Sequence, residues 1–467
     1  MIKRLKINDL GPIKEANINF GNITIICGKN SVGKTYLSYA QYLLTNIFFQ
    51  SFRASIKCPT LDHYLKGTLS DDISKFIFSL NIDEIHINKQ KIISELNSTK
   101  TAVFLANSLE LTGEKIPTIV AEIDNNFVDK ITKGSGEVTA INGDQTIVIK
   151  KSPSDSHFTI DFTKNIAFTE KSKKQIDEVV DMIAYFICTI CLSHSQFAIT
   201  SERTGISLFY NDLDSSLRKA FVEFGFESDI AKQNVFNSKY IKPIEDNIST
   251  IRSLSNRHVH FYQRNRITSK NAKKINDTID ILRDLLGGKY KAEDKIIKYI
   301  PANADNIIVS LKSSSGAARS MLLLDHFVTR LQERNGMLII DEPEMNLHLD
   351  NQRKMAHLLA ALSNNGVKVV VTTHSDHFVR EINNLIMLSS SKIDYKTRME
   401  LLKKANIKEI SILKPEDVTT VVIEAETGKT KEMSVSEFGI DLKLFNDEII
   451  KSIDISNDIS MAIHEGC

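Results

Sequence analysis

The stretch Gly28–Thr35 reads Gly-Lys-Asn-Ser-Val-Gly-Lys-Thr and matches the pattern G-x-x-x-x-G-K-S/T. An apolar run, Ile23–Cys27, comes directly before it, and a helix-compatible segment, Tyr36–Leu44, follows it. In a strand–loop–helix context this pattern forms a loop whose backbone N–H groups surround a phosphate, with the positive end of the helix behind them. The stretch therefore predicts a nucleotide-binding α/β fold in preference to a chance glycine turn before a helix.

The residues of this phosphate loop have separate expected roles. Its two glycines let the backbone curl around the anion. Lys34 is expected to reach the β- and γ-phosphates of ATP, and Thr35 is expected to bind Mg²⁺. The nucleotide-binding residues predicted in the loop are Gly28, Asn30, Ser31, Gly33, Lys34 and Thr35.

A second motif supplies carboxylates. Residues 337–344 read Met-Leu-Ile-Ile-Asp-Glu-Pro-Glu, an apolar strand that ends in acidic residues. Asp341 at the strand end suits Mg²⁺, bound directly or through water, and Glu342 suits the group that orients or deprotonates the attacking water. A plain strand ending in an acidic turn is the alternative, and the phosphate loop upstream argues against it.

Two further segments suit a nucleotide site. The apolar strand Val367–Thr373 leads to His374, which can hydrogen-bond the γ-phosphate or the attacking water, or can face solvent from a loop. Residues 313–319 read Ser-Ser-Ser-Gly-Ala-Ala-Arg and open a predicted helix at 320–332. Small hydroxyl residues and a glycine at a helix N-terminus favour anion binding, or they simply cap the helix.

The composition is that of an ordinary globular protein. Charged residues make up 25% and hydrophobic residues 42% of the 467 residues, and the formal net charge of +1 provides no global field that would attract nucleic acid. We expect no signal peptide, and the longest apolar stretch, Met182–Leu192, is too short to span a bilayer. Five scattered cysteines, with Cys188 and Cys191 expected as buried thiols, favour a reduced, cytoplasmic compartment.

The order of patterns along the chain predicts a divided head domain. Short apolar runs at 336–341 and 367–374 suit a parallel sheet buried on both faces, and Asn142-Gly143 indicates a β-hairpin. The predicted domains are a head built from 1–45 and 165–390, an inserted helical and β-hairpin subdomain at 46–164, and an α+β tail at 391–467.

The order of the motifs resembles that of ABC-type ATPase heads of the RecF, SMC and OLD-like branch. The resemblance rests on the phosphate loop, Ser-Ser-Ser-Gly, Ile-Ile-Asp-Glu-Pro-Glu, Asn346–Asp350 and Thr-Thr-His, and it covers roughly residues 1–45 and 165–390. It implies a mixed sheet with flanking helices, an antiparallel β subdomain, helical insertions and a small α+β tail.

The same resemblance implies ATP sites shared between subunits. Ser315 and Gly316 would contact the γ-phosphate bound by another subunit, Asp350 would belong to the D-loop, and His374 would be the switch histidine. The Ser-Gly segment departs from the usual Leu-Ser-Gly-Gly-Gln. The glutamine that contacts Mg²⁺ in this family has three candidates, namely Gln41, Gln196 and Gln263.

The chain is expected to lack a nuclease of its own. An OLD-type nuclease would carry a TOPRIM domain with an Asp-x-Asp pair after His374, and that part of the sequence contains no such pair. Asp212 and Asp214 have the spacing but precede the second half of the head, so we interpret them as a helix or loop face.

This layout resembles the stand-alone ATPases of bacterial antiphage systems, most of all the AriA-type ATPases of PARIS. Ser201–Ile206 is similar to a Ser/Ala-Glu-Arg-x-Gly stretch of such heads. The resemblance implies a homo-oligomer, with dimeric ATP sites or as a larger ring, that holds a separate TOPRIM-type nuclease, AriB. It implies release of that nuclease on sensing a phage trigger protein such as a DNA mimic. The alternatives are a Septu-like defence ATPase with an HNH nuclease partner and a RecF-like DNA-repair ATPase.

One stretch bears on what is sensed. Residues 252–274 contain seven Lys or Arg and no Asp or Glu, with His258, His260, Phe261 and Tyr262 among them. Basic and aromatic side chains together suit nucleic acid or an acidic protein that mimics it. A solvated helix face explains the same stretch equally well.

Overall fold

The computed structural model describes most of the chain. The described residues are 2–55, 73–79, 82–111, 115–124, 126–142, 145–153, 157–166, 187, 196–210, 240–255, 272–304, 306–330, 336–441, 454, 455, 457 and 459. The strands, in chain order, are β1 (Ile2–Leu10), β2 (Ile13–Asn19), β3 (Ile23–Gly28), β4 (Ile73–Ser79), β5 (Thr118–Ile123), β6 (Gly136–Asn142), β7 (Gln145–Lys151), β8 (His157–Ile166), β9 (Gln196–Ile199), β10 (Gly288–Glu293), β11 (Ile296–Pro301), β12 (Val309–Ser310), β13 (Met337–Asp341), β14 (Lys368–Thr373), β15 (Val418–Ile423), β16 (Thr430–Met433), β17 (Val435–Ser436) and β18 (Gly439–Ile440).

Helices alternate with these strands in the second half of the chain. The α-helices are α1 (Lys34–Ser55), α2 (Ile82–Leu96), α3 (Thr99–Ser108), α4 (Phe127–Lys133), α5 (Arg203–Phe209), α6 (Lys242–Ser255), α7 (Ala272–Leu286), α8 (Gly316–Arg330), α9 (Leu349–Asn364), α10 (Asp376–Met387) and α11 (Tyr395–Ala405). Short 3₁₀ turns lie at Leu311–Ser313, Glu409–Ser411 and Pro415–Asp417.

A six-stranded sheet forms the centre of the molecule, in the order β16-β15-β3-β14-β13-β9. Five of its strands run parallel, and β16 pairs antiparallel with β15 at one edge. Antiparallel sheets of order β2-β1-β5, β10-β11-β12 and β4-β8-β7-β6 complete the β structure, together with the β17–β18 hairpin. The described part of the chain is therefore an α/β fold with separate antiparallel sheets.

The central strands are buried on both faces. Met337 and Ile339 of β13 belong to a hydrophobic cluster that includes α1. The alternate residues, Leu338 and Ile340, belong to a second cluster that includes α8, α9 and α10. Helices on both faces explain why β13 is an unbroken apolar run, because every one of its side chains needs an apolar partner.

Parallel pairing brings the carboxyl ends of four strands to one edge of the sheet. Asp341 of β13 lies opposite Thr372 of β14, and Ile340 lies opposite Ile199 of β9. Thr373 of β14 lies opposite Cys27 of β3. The segments that follow these strands emerge side by side, as in other open α/β sheets that bind ligands at this edge.

The predicted fold class is confirmed. The strands expected at 336–341 and 367–374 are present as β13 and β14, and β6 pairs with β7 as the expected hairpin. The segment 46–164, expected to contain helices and a β-hairpin, also contains β4, β5 and most of β8. Strands β15 and β16 come from 391–467 but extend the central sheet, so this part of the tail is continuous with the head; the domain limits stay a prediction.

Several sequence predictions lie wholly or largely outside the described residues. They concern Cys188, Cys191, Asp212, Asp214 and most of the basic stretch 252–274. Cys27 is described, and it is buried and free, consistent with the expected thiol state. Within the described ranges, no helix combines the length and the apolar character that crossing a bilayer would require.

Helices α9 and α10 are joined by a series of polar contacts. Near their N-termini, His377 Nε2 lies 3.1 Å from the carbonyl oxygen of Leu349, and Ser375 Oγ donates to Gln352 Oε1 at 3.1 Å. One turn farther, the buried carboxylate of Glu381 accepts from Arg353 Nε at 3.2 Å and lies 2.6 Å from His357 Nε2. These contacts hold the two helices in one fixed relative position.

We expect Glu381 to make stability depend on acid pH. Burial by itself would raise the pKa of this carboxyl, but hydrogen bonds from His357, Asn384 and Arg353 outweigh it and lower the pKa from 4.5 to about 2. A depressed folded-state pKa gives stability that is present above pH 4.5 and lost as the pH falls toward 2, about 3 kcal/mol in total. Urea unfolding midpoints of Glu381→Gln and wild type at pH 7, 4.5 and 3.5 measure this.

The control is Glu400→Gln, which changes an exposed carboxylate on α11. The wild type and this control should lose stability in parallel below pH 4.5, whereas Glu381→Gln should start lower at pH 7 and lose less. Equal acid sensitivity of Glu381→Gln and wild type would contradict the assignment.

Candidate nucleotide site

The phosphate loop curls between β3 and α1 through two glycines in conformations that favour glycine. Gly28 has φ +148° and Gly33 has φ +101°. A Cβ atom on Gly28 would lie 2.9 Å from the carbonyl oxygen of Ile423, and one on Gly33 would lie 2.8 Å from Ile13 Cγ1. The neighbouring strand β15 and the β1–β2 turn therefore fix the loop in place and leave no room for a side chain at either glycine.

The lysine of the loop is folded back onto it. Lys34 Nζ donates to the carbonyl oxygens of Gly28 and Lys29, both at 2.9 Å, and the residue is buried. These two bonds occupy two of the three N–H donors of the ammonium group. They place its charge over the centre of the loop, where a phosphate would be bound.

Asp341 connects the two halves of the site. Its Oδ2 accepts from Thr35 Oγ1 at 3.0 Å, and its Oδ1 accepts from Thr372 Oγ1. Burial raises the pKa of the Asp341 carboxyl to about 6, the two threonine hydroxyls lower it, and the charges of Glu342 and Glu202 raise it. A buried carboxylate and a hydroxyl that share one position are oxygen ligands of the type that Mg²⁺ takes alongside nucleotide phosphates.

Glu342 stands at the turn after β13 in a left-handed backbone conformation, with φ +47°. Its N–H donates to the carbonyl oxygen of Thr372 at 3.0 Å, which holds the turn against β14. Its Oε1 lies 3.5 Å from His374 Nδ1, and both side chains are partly exposed at the strand-end edge. A left-handed conformation is rare for a residue with a Cβ, and it turns this carboxylate toward the site.

Arg203 supports this turn from behind. Its guanidinium is 2% exposed and donates to three backbone carbonyls: Thr200 at 3.2 Å, Asp341 at 2.7 Å and Glu342 at 2.6 Å. Burial lowers the pKa of Arg203, and the charges of Asp341, Glu344 and Glu342 raise it. The buried cation thus fixes the backbone that carries both predicted site carboxylates.

The remaining predicted residues lie on a neighbouring surface. Ser315 caps the first turn of α8, because Ala318 N–H donates to its Oγ at 3.1 Å. A Cβ atom on Gly316 would lie 3.5 Å from Asn346 Oδ1, which places α8 next to the turn that leads into α9. Asp350 in the first turn of α9 is exposed and pairs with Lys354 at 3.3 Å.

Ser315, Gly316 and Asp350 have no hydrogen bond or ion pair to the phosphate loop within the described residues. The described contacts therefore join the loop, Asp341, Glu342 and His374. Ser315 and Asp350 are exposed, and Gly316 is partly buried.

None of the described glutamine candidates lies at the strand-end edge. Gln41 is buried in α1, seven residues and about 10 Å along the helix from Lys34. Gln196 begins β9 and lies opposite Met337, at the amino ends of these parallel strands, whereas Asp341 lies at the carboxyl end of β13. Gln263 lies outside the described residues. At the strand-end edge, β9 delivers Thr200, Ser201, Glu202 and Arg203 instead.

Sequence reasoning missed the supporting residues. Arg203 lies in Ser201–Ile206, the segment similar to the Ser/Ala-Glu-Arg-x-Gly stretch of related heads. The sequence around it does not indicate that it contacts Asp341, 138 positions away. Thr372 precedes the expected histidine, and its hydroxyl to Asp341 depends on the register of β13 and β14. Glu344 is part of the acidic motif and contacts the Thr373–His374 segment.

We expect Arg203→Lys to damage both stability and turnover. Lysine keeps the charge but cannot reach three carbonyls as a planar guanidinium does. Loss of buried, charged hydrogen bonds should lower the free energy of unfolding by about 3 kcal/mol and slow ATP hydrolysis through displacement of Glu342. Arg380→Lys, which changes an exposed pair with Asp376, is the matched control and should behave as wild type. Wild-type melting and turnover in Arg203→Lys would contradict this role.

One family model matches most of the chain. A family model described as an AAA ATPase domain, AAA_15, matches residues 1–379. No curated protein sequence matches the chain.

Among solved structures, the Smc head domain with an extended coiled coil bound to the C-terminal domain of ScpA, from Pyrococcus furiosus, is 14% identical, with 98% of this chain and 99% of that chain covered and a TM-score of 0.34. The SmcHead bound to the C-winged helix domain of ScpA is 11% identical over 93% and 97%, with a TM-score of 0.34. The SMC head domain from Thermotoga maritima is 11% identical over 93% and 99%, with a TM-score of 0.29.

At these identities and TM-scores, the structural likeness carries no argument of its own. The family match spans the phosphate loop, both carboxylates and the histidine, and it covers well over half of the chain. The chain belongs to the AAA_15 family of AAA ATPase domains.

Proposed function

We propose that this chain binds ATP with Mg²⁺ and hydrolyses it at the edge formed by β3, β13 and β14. The observation that carries the proposal is the Thr35–Asp341 hydrogen bond of 3.0 Å, which joins the phosphate loop to the carboxylate motif 306 residues away. Lys34, now bonded to loop carbonyls, would exchange them for phosphate oxygens.

Thr35 and Asp341 would hold Mg²⁺, which supplies charge compensation for the β- and γ-phosphates when bound. Glu342 orients the attacking water and accepts its proton, and His374, 3.5 Å away, hydrogen-bonds the γ-phosphate or that water.

Two substitutions test this assignment. Lys34→Ala should abolish nucleotide binding, because the loop loses the buried ammonium group expected to contact the β- and γ-phosphates. Glu342→Gln should retain ATP binding but slow hydrolysis by about 10²- to 10⁴-fold. Fluorescent-nucleotide titration and phosphate release measure the two effects, with the surface variant Glu400→Gln as control. Unchanged turnover in Glu342→Gln would show that the base is another group.

The proposal includes a second subunit. Ser315 and Asp350 are exposed, and Leu349, which precedes Asp350, is 55% exposed. The phosphate loop and the starts of α8 and α9 would form one ATP site only between two chains. Each nucleotide would therefore lie between the loop of one copy and the α8 and α9 N-termini of another. ATP would then drive assembly of a homo-oligomer, as a dimer or a larger ring.

We further propose that this assembly serves antiphage defence by holding and releasing a separate effector nuclease of TOPRIM type. The support is the motif set together with a sequence after His374 that has no Asp-x-Asp pair. A phage trigger protein, such as a DNA mimic, would release the nuclease, and the basic stretch 252–274 would be suited to contact it.

Co-purification with the product of the neighbouring open reading frame tests this second step. We expect a stable complex with ATP, and its loss in Lys34→Ala, because the assembled state depends on nucleotide. Glu400→Gln should retain the complex. Absence of any complex with ATP, without ATP and with the slow variant Glu342→Gln would overturn the effector role but leave the ATPase assignment intact.

A further inference from the structure

Glu344 is a buried carboxylate directly behind His374. It is 6% exposed and follows Glu342 by two residues. No role in phosphate or Mg²⁺ binding falls to it, because Thr35 and Asp341 occupy that position. A carboxylate buried this deeply is costly unless its oxygens are matched by donors.

One oxygen of Glu344 is matched by the histidine segment. Oε1 accepts from Thr373 Oγ1 at 2.7 Å and from the backbone N–H of His374 at 3.2 Å. The same oxygen lies 3.7 Å from His374 Nδ1. A second carboxylate oxygen, Glu342 Oε1, lies 3.5 Å from that nitrogen. Both nearby carboxylates are therefore on the Nδ1 side of the ring.

The other oxygen is unmatched. Glu344 Oε2 is buried and has no hydrogen-bond partner in the described part of the chain. Glu344 Oε2 can therefore accept one more hydrogen bond. His374 Nδ1, which lies 3.7 Å from Oε1 of the same carboxylate, is a nitrogen that can supply the donor.

We propose that Glu344 is the positioning residue of His374. It fixes the peptide before the ring, and its negative charge holds the hydrogen of the imidazole on Nδ1. The two nitrogens lie on different sides of the ring, so Nε2 faces outward toward the phosphate position. Glu344 therefore acts on hydrolysis only through His374. This inference rests on the proposed ATPase function of the site.

The test is a double-mutant cycle of Glu344→Gln and His374→Ala. Glutamine keeps the size and one carbonyl oxygen for Thr373 and the His374 N–H, but removes the charge and presents an amide donor. In the wild-type background we expect kcat to fall by about 10- to 100-fold, as for other residues that orient a functional histidine, with ATP affinity unchanged. In the His374→Ala background the same change should have no further effect. Single-turnover rates with enzyme in excess keep the slow variants measurable.

The matched control is Glu381→Gln, which changes another buried carboxylate that contacts a histidine, His357, away from the site. It should lower stability without the loss of kcat. An equal fall in rate with and without His374, or a fall confined to melting temperature, would overturn the role of Glu344. ATP turnover by the wild type tests the proposed function separately. The effect of Glu344→Gln is a ratio of rates within each background, so it is interpreted only if the wild type hydrolyses ATP.

Discussion

The site depends on the position of one buried carboxylate. Asp341 accepts hydrogen bonds from Thr35 on the phosphate loop and Thr372 on the adjacent strand, so a single side chain joins three segments that are distant in sequence. Its pKa, raised by burial to about 6, shows the cost of keeping this charge away from water. The fold supplies compensation through hydroxyl donors and through the Arg203 cation on the backbone behind it.

Fixed charges of both signs are concentrated at the strand ends. Lys34 and Arg203 are buried cations, and Asp341 and Glu344 are buried anions within the same layer. Burying so many ionisable groups costs stability unless each is hydrogen-bonded, and here almost all of their polar atoms are. Hydrogen bonds hold these charged side chains in defined positions before any ligand is bound. The helices on both faces of the sheet bury the strands that lead to this region, whereas Glu342 and His374 at its rim stay partly exposed.

The parts of the site that could be predicted from the sequence are those formed by contiguous residues. The phosphate loop, the strand ending at Asp341 and the buried strand before His374 are contiguous patterns, so sequence alone indicated them. Strand β9 was missed because it has only four residues and two are partly buried, too short for a periodic signal. The contacts of Arg203 and Glu344 could not be predicted, since they depend on strand register and on residues roughly 30 to 140 positions away.

The contacts between α9 and α10 have a mechanical consequence. The first turn of α9 carries Leu349 and Asp350 on the outer surface, and its carbonyl oxygen at Leu349 is bonded to His377, three residues after the histidine of the site. Gln352 and Ser375 repeat the connection one residue before α10 begins. These two contacts join the exposed first turn of α9 to the start of α10. A displacement of the α9 start would therefore strain the segment that directly follows His374.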